Sequence, residues 1–381
     1  MKILVIASYH YQGALFPTAI FMHEQMLAYA RAGHDVRALV TIPWGKKDDF
    51  GRRFGSAVWR EEVDGIEHIF LRHFSFSKYG LGGLNRRCGL AALKKHAAEV
   101  LNGWRPDVIH GQAIGSIHPG LYLQEKTGAP LVATDHGETL CDEPWKSRPD
   151  MILPTVDLAD AVFGVSSHVE RQLRRLGAKT RLGTILNGFS VQNISPAADK
   201  PPYSIIQVGW LQPRKKADVT IRALAKLREK YPETALELIG TGSEQERFQK
   251  LSQDLGVGDA VQFRGYLTNP ETLSAMSRSR FFVMASVDEG FGLVYAEAMA
   301  SGCITIGTEG EGIADLIVSG KNGFLVPPDD PEAIVRVISW CAEHPTEADE
   351  IAERGRQDAL GLTWDKNAAQ YLDLFAELRK R

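Results

Sequence analysis

Cysteine is scarce in this chain. Cys88, Cys141, Cys303 and Cys341 are the only four among 381 residues, and no two of them form a C-x-x-C pair. That spacing argues against a disulfide framework or a cysteine-rich zinc site and fits reduced thiols inside a cell. Long apolar runs are missing too. No stretch reaches the roughly 20 residues of a membrane span, and the apolar opening Met1–Ala7 is too short for a signal-peptide core. The expected location is cytoplasmic. The net charge is only −3, which lacks the basic surplus of a general nucleic-acid binder, so no nucleic-acid partner is expected. His110, His118 and His136 fall at spacings that match no zinc-ligand pattern. Neither a metal nor a resident cofactor is expected. Short-period repeats and low-complexity segments are also lacking.

What is present is the material of a globular protein. Hydrophobic content is 44% and charged content 24%, and the length suits two domains rather than one core. Ile3–Ala7 reads as a strand buried on both faces, Pro17–Thr18 opens a helical pattern that ends near Gly33, and Val36–Val40 returns as a strand. Apolar runs at Val108–Ile109, Leu131–Ala133 and Ala161–Val165 continue this strand–helix alternation, which predicts a doubly wound α/β domain. Around Asn187–Gly188 the pattern breaks, and Ser195-Pro196 and Lys200-Pro201-Pro202 read as a linker. A second series follows, with strands at Ser204–Val208, Leu236–Ile239, Val261–Phe263, Phe281–Met284 and Ile304–Ile306. The expected division is a domain at 1–190, a hinge at 191–202, a domain at 203–362 and a terminal helix at 363–381. That helix places Ala368, Tyr371, Leu372 and Phe375 at helical spacing.

Chemistry concentrates between Ala285 and Gly302. A strand ends, a loop carries Asp288-Glu289-Gly290-Phe291-Gly292, and a helix begins near Leu293. Ligands of open α/β sheets bind outside the carboxyl ends of strands. Glycines admit close backbone approach, and free amides at a helix start favour phosphate. Glu289 leaves the strand end and Glu297 lies in the helix, so two carboxylates can face one ligand at different depths and accept from adjacent hydroxyls.

This segment resembles the E-x7-E motif of the retaining glycosyltransferase family 4. The resemblance implies the GT-B fold, two facing Rossmann-like doubly wound domains with a cleft between them. It also implies that Glu289 contacts the transferred sugar, Glu297 the nucleotide ribose, and the amides of Phe291, Gly292 and Leu293 the donor phosphate and sugar. Val208–Asp218 resembles the segment by which that family grips the diphosphate. Lys215 falls on the lysine position, while Trp210 stands where arginine is usual and Lys216 where glycine is usual. Arg214 or Lys216 is then the source of the second positive charge. Glu237–Glu244, with Gly242, resembles the G-x-G turn, and Phe263-Arg264-Gly265-Tyr266 the strand end near the base. Asn187-Gly188 and the loops at 302–315 and 320–327 also match, with Asp315 where glutamate is common. Thr134-Asp135-His136-Gly137-Glu138 resembles the strand-end H-G segment. This assigns His136 to the donor sugar and places Glu138 on the acceptor side. Gly13 is the candidate for a backbone position under the donor phosphates.

The function implied is transfer of a hexose from a UDP- or GDP-sugar to a carbohydrate or lipid-linked acceptor, with Lys215, Glu289 and His136 as catalytic residues. No Asp-x-Asp triplet, the handle for a metal-bound diphosphate, occurs in the chain, so lysine and amides would take the metal's part. A nucleotide-sugar epimerase, a glycoside hydrolase using the two glutamates as an acid–base pair, and a non-catalytic sugar-nucleotide-binding protein are the rivals. Ten basic and five acidic residues lie between Arg52 and Arg105. The portion from 78 to 105 mixes its basic residues with Leu81, Leu84, Leu90, Leu93 and Trp104, and reads either as a solvated helix face or as a peripheral contact with anionic lipid.

Overall fold

The computed structural model describes residues 1–7, 20–44, 57–74, 82–141, 149–190 and 200–380. Gly13, Pro17–Thr18, most of the 191–202 segment and Leu81 lie outside them. The chain forms two units, Met1–Gly188 with Trp364–Arg381, and Phe189–Thr363. Among the described residues no helix is long and apolar enough to cross a membrane.

Among the described residues the first unit is built on eight strands: β1 (Lys2–Ala7), β2 (Asp35–Trp44), β3 (Val58–Val63), β4 (Ile66–Phe74), β5 (Val108–Gly111), β6 (Leu131–Asp135), β7 (Ala161–Gly164) and β8 (Arg181–Thr184). Their order is β3-β4-β2-β1-β5-β6-β7-β8. All pairings are parallel except β3 with β4. Ile3, Leu4, Val5, Ile6 and Ala7 are all buried, as a strand flanked on both edges and covered on both faces requires. The β3–β4 hairpin is not signalled by the sequence pattern, because Arg60, Glu61, Glu62, Glu67 and Arg72 interrupt its apolar positions. Its turn is legible afterwards: Asp64 and Gly65 both have positive φ, 50° and 77°, the signature of a two-residue hairpin.

The helix Gly82–Leu101 turns Leu93, Ala97 and Val100 inward and leaves Arg87, Lys94 and Lys95 exposed. Trp104 is buried as well. Its indole N–H donates to Asp35 at 2.8 Å and the Arg37 guanidinium lies 4.6 Å from its ring. The amphipathic pattern that suggested a lipid-facing surface is therefore partly core packing, and Leu93 and Trp104 are removed from any such face. The last helix, Trp364–Leu378, buries Trp364, Ala368, Tyr371, Phe375 and Leu378 in the core of this first unit, with Tyr29, Phe70 and Val132.

Among the described residues the second unit has six parallel strands: β9 (Ser204–Val208), β10 (Ala235–Ile239), β11 (Val261–Gly265), β12 (Phe281–Val283), β13 (Ile304–Thr308) and β14 (Phe324–Val326). Their order, β11-β10-β9-β12-β13-β14, is that of a doubly wound dinucleotide-type sheet. On one face Ile205, Leu238, Val283 and Ile306 pack on the helix Ala217–Lys230 through Ile221, Leu224 and Leu227. On the other, Phe282 and Met284 pack on the helix Leu293–Ala300 through Tyr295 and Met299. Strand order reverses between β9 and β12, and between β1 and β5 in the first sheet, while the strands stay parallel. These are the points where the loops diverge and open a crevice.

Phe375 is fully buried in the first unit's core. Phe375→Ala should cost about 3–5 kcal/mol, as other buried phenylalanine truncations do. Urea denaturation should show the loss as a lower midpoint for the first unit. An unchanged midpoint would mean the terminal helix adds nothing to that core.

Candidate active site

In the second unit the loops leaving β9 and β12 meet at the switch point. After β9 the chain runs through Gly209 into a single turn, Pro213–Lys215. Buried Gln207 donates to the Lys215 carbonyl at 2.7 Å and accepts from Thr220 at 2.7 Å. The Lys215 stem lies over Gly209. The Val287 amide donates to the Arg214 carbonyl at 2.9 Å, tying the two loops together. Lys215 Nζ then sits 2.5 Å from Glu289 Oε2, and Arg214 Nη1 lies 3.3 Å from the same oxygen. Lys215 and Glu289 are 8% exposed each, so this pair is largely shielded from water.

The loop bearing Glu289 is held from three sides. Tyr295, buried in the following helix, donates to the Met284 carbonyl at 2.6 Å and accepts from Ser286 at 2.8 Å. Gly292 has φ 74°, and a Cβ there would meet the Tyr295 ring at 2.8 Å, so glycine is required. From the loop after β13, Glu311 accepts the Glu289 amide at 2.8 Å, and the Gly312 amide donates back to the Glu289 carbonyl at 3.2 Å. A Cβ on Gly312 would lie 2.0 Å from the Gly290 carbonyl oxygen. Asp288 adopts a left-handed φ of 53°, the kind of backbone strain that sites often store. Burial lifts the Glu311 carboxyl above its ordinary range.

The helix Leu293–Ala300 begins at Gly292, so its first amides face this loop. Glu297 lies on its second turn, accepts from Asn269 at 3.4 Å, and has its carboxyl pushed above the usual range by burial. Phe291 is a buried side chain and Tyr266 is 63% exposed.

Other expected residues have different surroundings. Lys216, at φ 50°, occupies a left-handed position that glycine fills without strain, and its Nζ pairs with Asp329 at 2.7 Å. Arg214, not Lys216, joins the Lys215–Glu289 pair. At Gly242 a Cβ would meet the Leu211 carbonyl oxygen at 2.2 Å, so close backbone packing accounts for this glycine. Trp210 is 56% exposed.

The first unit carries a second cluster. His136 follows β6, packs at a tilt against Phe21 with ring centroids 4.7 Å apart, and lies 3.0 Å through Nε2 from Gln112 Oε1. Its Nδ1 is buried and, among the described residues, has no partner. Burial lowers its pKa to about 3, so the ring is neutral. Gln112 follows β5, at the first sheet's switch point, and donates to Gln25, which donates to Asn367 at 2.6 Å. His110 bonds Thr134 at 2.8 Å and Tyr29 at 3.2 Å, and is also neutral, its pKa lowered to about 3 by burial. Glu138 opens the helix Glu138–Cys141. Among the described residues no group of three or more His, Cys, Asp or Glu side chains could hold a metal.

The family model for glycosyl transferases group 1 matches residues 191–358, and that for glycosyltransferase family 4 matches residues 18–193. The chain belongs to this glycosyltransferase family. It is a nucleotide-sugar-dependent hexosyltransferase of the GT-B fold. It is 27% identical over 355 residues to a glycogen synthase of Mycobacterium tuberculosis, covering 88% of this chain and 84% of that one. It is 26% identical to a D-inositol 3-phosphate glycosyltransferase of Streptomyces avermitilis over 85% of this chain and 77% of the relative. Similar folds include a sucrose-phosphate synthase from Thermosynechococcus elongatus, with a TM-score of 0.79 at 22% identity over 99% and 98% of the two chains. Anabaena HepE, solved with UDP and glucose, gives a TM-score of 0.74 at 18% identity over 99% and 100%.

Sequence reasoning passes over Glu311, Asn269, Gln112 and Gln25 in this glycosyltransferase. Glu311 carries a weak signal, an acid between two loop glycines. The two glutamines carry none, since a buried amide pair has no spacing rule.

The raised Glu297 carboxyl has a consequence for stability. The native state binds that proton more tightly than the unfolded chain, so the penalty of ionisation is absent below the unfolded pKa, grows as pH rises through the raised native pKa, and is complete above it. Glu297→Gln should therefore raise Tm at about pH 7.5 and leave it unchanged near about pH 4. A calorimetric series across that range checks it, and an equal shift at both ends would contradict the burial argument.

Proposed function

We propose that this transferase is retaining and metal-independent, and that it moves a hexose from a UDP- or GDP-sugar to a glycan, lipid-linked or small-molecule acceptor in cell-surface polysaccharide or glycoconjugate synthesis. The observation that carries the reading is the shielded cluster of Lys215, Arg214 and Glu289 at the switch point. Lys215 and Arg214 turn from Glu289 to the donor diphosphate and stabilise the charge that builds there as the glycosidic bond breaks. Glu289, released from its cations, accepts from hydroxyls of the sugar. Glu297 accepts from the ribose, and the amides of Gly292 and Leu293 face a phosphate at the helix start. A sugar hydroxyl donates to His136 Nδ1.

Retention follows the family resemblance. The acceptor oxygen bonds to the anomeric carbon on the face from which the diphosphate leaves. The carbon–oxygen bond to the diphosphate breaks, and the acceptor proton ends on the diphosphate. The two cations and the loop amides do the work a divalent ion does elsewhere, so no cofactor is required. An exposed basic face at Arg87, Lys94 and Lys95 supports peripheral contact with anionic lipid, by charge and without an apolar anchor, at the inner surface of the membrane.

With UDP- and GDP-hexoses screened against sugar and lipid-linked acceptors in excess EDTA, wild-type turnover should persist. The new bond should keep the donor's anomeric configuration by NMR. Lys215→Ala should lower kcat by roughly 10²–10³, as loss of one charge-stabilising donor does. A near-wild-type rate would remove Lys215 from the mechanism, and loss of activity in EDTA would end the metal-free reading. Isomerised donor without acceptor would mark an epimerase, and tight donor binding without transfer a binding protein. The protein should co-sediment with phosphatidylserine vesicles more than with neutral ones, and less so in high salt. Equal partition would exclude the lipid contact.

A further inference from the structure

The amide chain that ends at His136 has a direction, and that direction can be read from one fixed point. The Leu186 carbonyl is backbone and can only accept. Asn367 lies 2.8 Å from it and must offer its NH2 group there. Asn367 Oδ1 therefore faces Gln25, which donates to it at 2.6 Å. Gln25 Oε1 in turn faces Gln112, which donates. That leaves Gln112 Oε1 toward His136, 3.0 Å from Nε2. An amide oxygen accepts only, so His136 must present N–H at Nε2. A neutral imidazole carries one ring proton, and Nδ1 is left as a bare acceptor. This is the ring atom that is buried and, among the described residues, has no partner.

Every relay member is sealed. Gln25 and Asn367 are 2% exposed and Gln112 is 0% exposed. A buried amide left half-satisfied is costly, so no member can rotate without orphaning its neighbours. The relay also draws on four distant parts of the chain: the first helix, the loop after β5, the segment at Leu186 and the last helix. Leu186 and Asn367 flank the two points at which the chain passes between its units, at Gly188–Phe189 and Thr363–Trp364.

We propose that Gln112, Gln25 and Asn367 are positioning residues that lock His136 as the Nε2–H tautomer, so that Nδ1 accepts a hydroxyl of the transferred sugar. A donor hydroxyl pays no penalty of ring reorientation and meets a lone pair that no described residue fills. A sugar lacking that hydroxyl leaves Nδ1 unsatisfied, which makes the relay a specificity device as well as a scaffold. The proposal rests on the reading that His136 meets the transferred sugar.

Nitrogen-15 NMR of wild-type protein labelled on histidine tests the tautomer directly and needs no variant. His136 should show a protonated Nε2 and an unprotonated Nδ1 across the neutral pH range. A protonated Nδ1, or a mixed population, overturns the proposal. Kinetics with UDP-glucose, UDP-N-acetylglucosamine and GDP-mannose, and with monodeoxy analogues of whichever is turned over, test the role. Gln112→Leu should lower kcat/KM by about tenfold or more, on the scale of other lost orienting partners, while UDP or GDP binds within about twofold of wild type. The monodeoxy donor that costs the wild type most should cost Gln112→Leu no more than about twofold. Gln25→Leu, further from the ring, should show the same pattern more weakly. Full discrimination retained in Gln112→Leu would overturn the proposal even if the tautomer is as stated. His136→Ala separates the two levels. If it keeps wild-type kcat and discrimination, the sugar-contact reading itself fails, while the NMR result still stands or falls on the relay.

Discussion

The buried ion pair between Lys215 and Glu289 is the interaction around which the second unit is arranged. Removing two charges from water costs several kcal/mol each unless geometry and further hydrogen bonds compensate. Here the compensation is visible. Gln207 fixes the lysine's backbone, Val287 ties the two loops, Tyr295 pins the loop that carries the glutamate, and Glu311 with Gly312 grips that loop's peptide on both sides. Arg214 adds a second cation to the same carboxylate oxygen. Such a pair is weak evidence for stability and stronger evidence for function. It holds a carboxylate and two cations in one fixed arrangement, with Lys215 and Glu289 shielded from water.

The sheet explains why these residues meet. Lys215 and Glu289 are 74 positions apart, yet they leave β9 and β12, the neighbours at which strand order reverses. The repeating strand–helix pattern and the alternation of apolar runs made both sheets legible in the sequence, and the E-x7-E spacing picked out the loop and helix that carry Glu289 and Glu297. The pattern could not reveal the β3–β4 hairpin, because charged residues broke its periodicity. It also assigned Leu93 and Trp104 to an amphipathic surface, since helical spacing alone does not say which neighbour covers an apolar stripe. Trp104 found Asp35 and Arg37 instead.

Glycines were legible as a class and ambiguous singly. Gly292 and Gly242 both sit in turns beside the site. At Gly292 a positive φ and the Tyr295 ring demand the missing Cβ, and the loop shape that follows exposes the helix start. At Gly242 the demand comes from the Leu211 carbonyl, a matter of one loop lying on another. Lys216 shows the reverse case, a side chain tolerated at a left-handed position where glycine is usual, its charge drawn to Asp329. The positive charge beside Lys215 comes from Arg214, one residue earlier, whose backbone also carries the link to Val287.

The two clusters differ in kind, and the difference follows from the chemistry each can serve. The second unit gathers ions: Lys215, Arg214, Glu289, Glu297 and Glu311. The first unit gathers neutral groups: His136, His110, Gln112, Gln25 and Asn367, with both imidazoles held uncharged by burial. In a glycosyl transfer the charge that changes lies on the diphosphate, while the sugar offers hydroxyls that stay neutral throughout. Fixed cations lower the barrier only where charge develops. Neutral, directional partners read hydroxyl positions without attracting phosphate to the wrong end. With Nε2 donating to Gln112 and the ring held neutral by burial, His136 keeps only the accepting lone pair of Nδ1.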